Sequence, residues 1–297
     1  MEEHILPTEH KLKARMRTLT DGLATGLAVL STLLVVAPLV AIFIYLVYKG
    51  ASSLSWAFFT DVPKPVGEAG GGMANAIAGS AILLAVGSVI GIPVGISGGI
   101  FLAEFGRGTR LANAVRFTAD VLNGVPSIVM GIAVYSLVVV PQGHFSAFSG
   151  GVALGIMMIP TVCRTTEEML LMVPNAVREA ALALGVPNWR SVLAITVRTA
   201  SPGIITGCML AFARVAGETA PLIFTAFGNV GWGGTLTEKL REPIAALPLQ
   251  IYVYAISPYD EWHRLAWAGA LVLIVLIVLA VSLVRYVTSR GVLKGAS

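Results

Sequence analysis

The chain has 297 residues, 56% of them hydrophobic and 12% charged, with a net charge of +4 and a mean hydropathy of +0.83. A soluble domain carries about 25% charged residues, so an ordinary water-soluble fold is excluded. The uncharged runs exceed the roughly 18 residues of a spanning helix and do not alternate, which excludes a β-barrel, and the basic residues form no single patch that would suit nucleic acid.

An N-terminal tail, residues 1–21, carries "KLKARMRTLTDG". The uncharged run that follows, about 22–48, is too long for the roughly 7–15-residue apolar core of a signal peptide. It reads as a retained first spanning helix, followed by an outer segment to residue 72. Five further spans fall at about 73–102, 117–140, 148–170, 200–226 and 265–284. They group into a core domain, 73–288, ahead of a short tail, 289–297. Pro93, Pro126 and Pro160 inside spans predict kinks. The stretch "GSVIGIPVGISGG" suits close helix–helix approach.

With the N-terminus in the cytoplasm, fourteen Lys and Arg lie on the inner side and five on the outer, and Arg214 within a span completes the chain's 20. That bias places both termini and residues 171–199 in the cytoplasm, with 49–72 and 227–264 outside. Tyr252, Tyr254, Tyr259, Trp262 and Trp267 suit an aromatic belt at the outer boundary.

Charges inside spans are costly, about 2.5–3.5 kcal/mol each on insertion scales. Arg214 is expected about 14 residues into the fifth span, with Glu218 at i+4 on the same face. The two either neutralise each other within a bundle or form a cationic station for an anion in transit. The second reading is favoured, because an ionisable group inside a membrane span is a functional hypothesis by default and a planar guanidinium suits an oxyanion bidentately. Arg164 and Glu167, at i,i+3 near the inner end of the fourth span, are either a second such pair or a snorkelling arginine with its neighbour. Asp120 is expected to be solvated or hydrogen-bonded, with Asn123 one candidate partner.

Cys163 and Cys208 form no disulfide framework, and His4, His10, His144 and His263 show no metal-ligand spacing. Nothing matches G-x-x-x-x-G-K-[ST], and no nucleophile–base constellation is present. No cofactor is expected on this chain, which is not an enzyme, and energy must arrive from a partner.

The stretch "EAALALGVPNWRSVLAI", residues 179–195, interrupts the greasy background. Helix formers follow Pro174, Gly185 is placed to end that helix, and Pro187 opens a second. Ala180, Ala181 and Ala183 offer a small-residue face, with Trp189 and Leu182 as anchors for a docking partner. An amphipathic hairpin lying on lipid headgroups fits equally well.

The spacing Glu-Ala-Ala, three residues, Gly, nine residues, Ile resembles the EAA loop of ABC importer permeases. Glu179, Ala180, Ala181, Gly185 and Ile195 fit it, while Val197-Arg198 stands where that pattern usually has Leu-Pro. "GGGMANAIAGSAILL", "GIFLAEFGRGTRLANAVRF", "CRTTEEMLLMVPNAVREAALALG", "ARVAGETAPLIFTAFGN" and "SPYDEWHRLAWAG" resemble, in order, segments of the PstA-type permeases of phosphate importers. The resemblance implies an all-α, six-helix type I ABC importer permease in the inner membrane, without ATPase activity of its own. It implies a substrate path past Arg214, Glu218, Arg164 and Glu167. Coupling to the ATPase would run through Glu179, Ala180, Ala181, Gly185, Trp189 and Ile195. Implied partners are a PstC-like second permease, an ATPase dimer that holds ATP-Mg, a periplasmic phosphate-binding protein, the lipid bilayer and inorganic phosphate. Rival readings are a permease for another oxyanion, such as molybdate or sulfate, and an ion-driven secondary carrier.

Overall fold

A computed structural model describes residues 8–68, 70–229, 231 and 235–294. The expected tails fall partly beyond these, residues 1–7 and 295–297 lying outside the described residues. The described chain is helical, with a single isolated bridge between Phe227 and Ile244.

Helix α1 (Thr8–Ala51) is followed by a short turn of helix, α2 (Trp56–Thr60). α3 (Ala74–Phe105) ends in a π-helical turn, Phe101–Phe105. α4 (Arg110–Gly124) and α5 (Ser127–Gln142) meet at a bend of 108°. α6 (Ala147–Leu171), α7 (Asn175–Ala183) and α8 (Asn188–Ala216) follow, the last containing a π-helical turn at Val192–Thr196. α9 (Ala220–Thr225), α10 (Leu236–Arg241) and α11 (Leu247–Ala255) are short, and α12 (Asp260–Lys294) closes the chain. Among the described residues, α1, α3, α6, α8 and α12 are each long and apolar enough to cross a membrane, and α4 with α5 passes that test as a pair.

The centre of the molecule is the α3–α6 contact. Gly87, Gly91, Gly95 and Gly99 recur every four residues and form one buried edge of α3. A Cβ at Gly91 would stand 2.6 Å from the Gly155 carbonyl oxygen, and one at Gly95 would stand 2.6 Å from Val162 Cβ. The glycines therefore let two backbones touch, as the glycine-rich stretch predicts. α8 packs on the other side of α6, where Ile204, Cys208, Ala211 and Val215 join Met157, Met158 and Leu170 in the main core. A second core gathers Phe58, Met73, Leu247, Tyr254 and Val272 around the α11–α12 hairpin, with Tyr254 stacked on Trp262 at 4.5 Å.

Two expectations need correction. Pro126 does not kink a continuous third span; the chain breaks there. Val125 takes an extended conformation (φ −70°, ψ 131°), the geometry that a following proline favours, so α4 ends and α5 starts in a new direction. The fifth span is not 200–226. Its helix starts at Asn188 and ends at Ala216, because Arg190 and Arg198 sit on a helix that continues past them, and Gly217 then terminates it. Residues 217–219 form the connection to α9, which carries Pro221 in its first turn.

Candidate functional site

Two regions concentrate the chemistry. The first lies where the C-terminal half of α6 meets α4. Glu167 sits on the α6 face that packs inward, and its side chain is 3% exposed. Its two carboxylate oxygens are held by different arginines: Arg116 Nε donates to Oε1 at 2.6 Å, and Arg164 Nη1 donates to Oε2 at 2.8 Å. Arg164 Nε also lies 3.1 Å from Oδ1 of the exposed Asp120. Arg116 further donates to Asn113 Oδ1 and to the Leu102 carbonyl oxygen. One desolvated carboxylate thus orients two guanidiniums, an arrangement of charge-assisted bonds that would be costly to leave half made. Asp120 pairs with Arg164 rather than with Asn123, whose Oδ1 instead accepts from Thr161 Oγ1 at 3.1 Å.

Arg214 lies in the last turn of α8, not deep within a longer helix, and is exposed. Because α8 stops at Ala216, Glu218 falls beyond the helix end, and the i,i+4 geometry is lost. No Arg214–Glu218 ion pair forms. Arg214 borders a narrow gap with Asn123, Val125, Met157 and Pro160, beside the α4–α5 break. Pro160 and Arg164 are one turn apart on α6, and Asn123 and Asp120 one turn apart on α4. Arg164 and Asp120 thus lie one helical turn from residues that line the gap beside Arg214.

The second region is the loop between α6 and α8. α7 ends in a Schellman motif: Gly185 N donates to the Leu182 carbonyl at 2.9 Å, and Val186 N to that of Ala181 at 3.2 Å. Gly185 has φ +77° and open space around it, so backbone conformation, not crowding, demands glycine. Leu182, Leu184 and Trp189 are exposed, Leu184 at 83% and Trp189 at 60%. Glu179 and Ala180 are exposed, and Ile195 is half-buried in the π-helical turn. Ala181, expected on the presented small-residue face, is instead buried, because that side of α7 packs against the body. The sequence reading missed the tie that holds this loop. Arg178 Nη2 donates to Glu104 Oε1 at 2.7 Å, and both side chains are largely buried. A lone acidic residue closing a glycine-rich span was the available signal.

Residues 95–291 match the family of binding-protein-dependent transport system inner membrane components. The fold is similar to the inward-facing MetNI methionine ABC transporter (native crystal form), with a TM-score of 0.56 and 20% identity, covering 75% of this chain and 96% of that one. It is also similar to an amino acid ABC transporter solved with histidines, with a TM-score of 0.53 and 18% identity over 74% and 92%. These features define a multi-span, all-α membrane protein of the ABC importer permease class, a transport subunit. The chain is 48% identical to the phosphate transport system permease protein PstA of Yersinia pestis, over 82% of this chain and 81% of that one. It is 44% identical to PstA of Haemophilus influenzae over 94% and 96%, and 33% identical to the probable PstA of Methanocaldococcus jannaschii over the same shares. It belongs to the PstA family of phosphate transport system permease proteins.

Proposed function

We propose that this chain is the permease subunit of an ATP-driven phosphate importer and forms half of its translocation path. In this reading the broken α4–α5 pair supplies the sixth crossing, both termini face the cytoplasm, and 73–288 is the core permease domain behind a first helix and outer loop at 22–72. A PstC-like permease forms the other half. A periplasmic phosphate-binding protein delivers the anion, and an ATPase dimer carrying ATP-Mg drives the cycle.

The observation that carries the proposal is the sharing of buried Glu167 between Arg116 and Arg164, with Arg214 beside a gap lined by the next turns of α4 and α6. Glu167 holds Arg164 in place while leaving its partner Asp120 in an exposed, weak pair. An arriving phosphate can displace Asp120 and bind the guanidinium bidentately without breaking the buried half of the network. Arg214 provides a second cation on the route, and Glu218 lies just past it on the connection to α9. Since no fixed charge is uncompensated at Arg164, the anion is not held too tightly to leave.

The loop at 171–199 takes up the motor's stroke. Exposed Leu182, Leu184 and Trp189 form an apolar docking surface around Glu179, Ala180 and the Gly185 turn, and α8 runs from this loop directly into the membrane. The test is uptake by proteoliposomes holding the assembled importer, challenged in turn with phosphate, sulfate and molybdate. ATP-dependent phosphate uptake is expected. Preference for another oxyanion, or uptake persisting without the ATPase, would replace this reading with one of its rivals.

A further inference from the structure

The two regions described above meet at one short element, the π-helical turn Phe101–Phe105 that ends α3. In this turn Gly106 N donates to the Phe101 carbonyl, five residues back, at 2.6 Å, instead of to the Leu102 carbonyl four residues back. The widened register leaves Leu102 O to another donor, and that donor is Arg116 Nη2 at 3.2 Å. The neighbouring Ala103 carbonyl accepts from Arg107 Nε. Two residues along the same turn, Glu104 accepts from Arg178 Nε and Nη2. Arg178 also binds the Leu170 and Val173 carbonyls at the end of α6, at 2.7 and 2.6 Å. Its guanidinium therefore joins α7 to the inner ends of both α3 and α6. On its other side the turn holds Arg116, which holds Glu167.

We propose that the turn Phe101–Phe105 is a relay between the ATPase-docking loop and the anion path, with Arg178 and Glu104 as its positioning pair. The inference rests on reading 171–199 as the docking loop and deepens it. A stroke applied to α7 does not travel only along α8. It pulls Glu104 through a forked, buried ion pair, shifts the Leu102 carbonyl, and so re-aims Arg116 and the carboxylate it shares with Arg164. A π-helical turn suits this task because its hydrogen-bond register is already displaced, and such turns concentrate at functional sites. Rigid coupling needs arginine rather than any cation, since only the planar fork reaches Glu104 and two carbonyls at once.

The experiment uses the assembled importer in proteoliposomes and measures phosphate moved per ATP hydrolysed, with retained ATPase measured in parallel. Arg178→Lys keeps the charge and loses the fork. The double variant Glu104→Gln with Arg178→Gln removes both charges, so no lone buried charge remains to block folding. Both are expected to retain the ATPase and its hydrolysis while phosphate per ATP falls about fivefold or more. Arg116→Lys is expected to lower the ratio too, and combining it with Arg178→Lys is expected to cost no more than the larger single loss, as for members of one chain of contacts. Unchanged stoichiometry in the variants beside an active wild type overturns the relay alone, as do multiplicative losses in the combination. Loss of the ATPase from both variants makes the pair an assembly staple and also overturns the relay. A wild-type complex that moves no phosphate overturns the underlying reading with it.

Discussion

Arg214, Glu167 and Gly185 carry the sharpest expectations for single residues. Arg214 has no ion-pair partner to lose among the described residues, so Arg214→Gln removes a cation without stranding a charge. Phosphate uptake is expected to be abolished while membrane insertion and assembly, read by co-purification, stay intact. Glu167→Gln is different in kind. It leaves two arginines facing a neutral side chain in a buried site, where breaking a pair costs about 3–5 kcal/mol. A lowered unfolding midpoint in detergent is expected together with lost uptake. At Gly185, φ +77° strains any residue with a Cβ, by roughly 1–2 kcal/mol. Because the space around it is open, Gly185→Val is expected to deform the α7 turn without a clash. ATP hydrolysis should then persist while phosphate moved per ATP falls, and unchanged stoichiometry would contradict a docking role for the turn.

Among the elements, the α3–α6 contact is the structural spine. Gly91→Leu is expected to separate the two helices, since even a Cβ meets the Gly155 carbonyl and Met158. Loss of folded protein on size-exclusion chromatography, with no transport-competent fraction, is the outcome to look for. Much of this level was legible beforehand. The long uncharged runs pointed to the five helices long and apolar enough to cross a membrane, though not to the break at Pro126 or the true ends of the fifth, and the i+4 glycines marked the close contact. Charge gaps misplace the fifth span because Arg190 and Arg198 ride on a continuous helix that only Gly217 stops. The partners of Glu167 and Arg178 were hidden for a simpler reason. Arg116 is 51 residues from Glu167, and Glu104 is 74 from Arg178, so only folding brings them together. The i,i+3 spacing of Arg164 and Glu167 was local, and it was read directly.

For the whole molecule, the exposed apolar length of α1 and the bare Leu184 and Trp189 between α6 and α8 describe a subunit built to be covered. Lipid and a second permease suit the first surface, and an ATPase suits the second. The central claim is that this chain conducts phosphate only when a bound motor works its inner loop. Phosphate accumulation in proteoliposomes containing the complete importer, with and without ATP and with Arg214→Gln in parallel, tests it most directly. Uptake is expected only with ATP and wild-type chain, the variant keeping its ATPase subunits yet moving no phosphate. Accumulation without ATP, or undiminished accumulation by the variant, would contradict it.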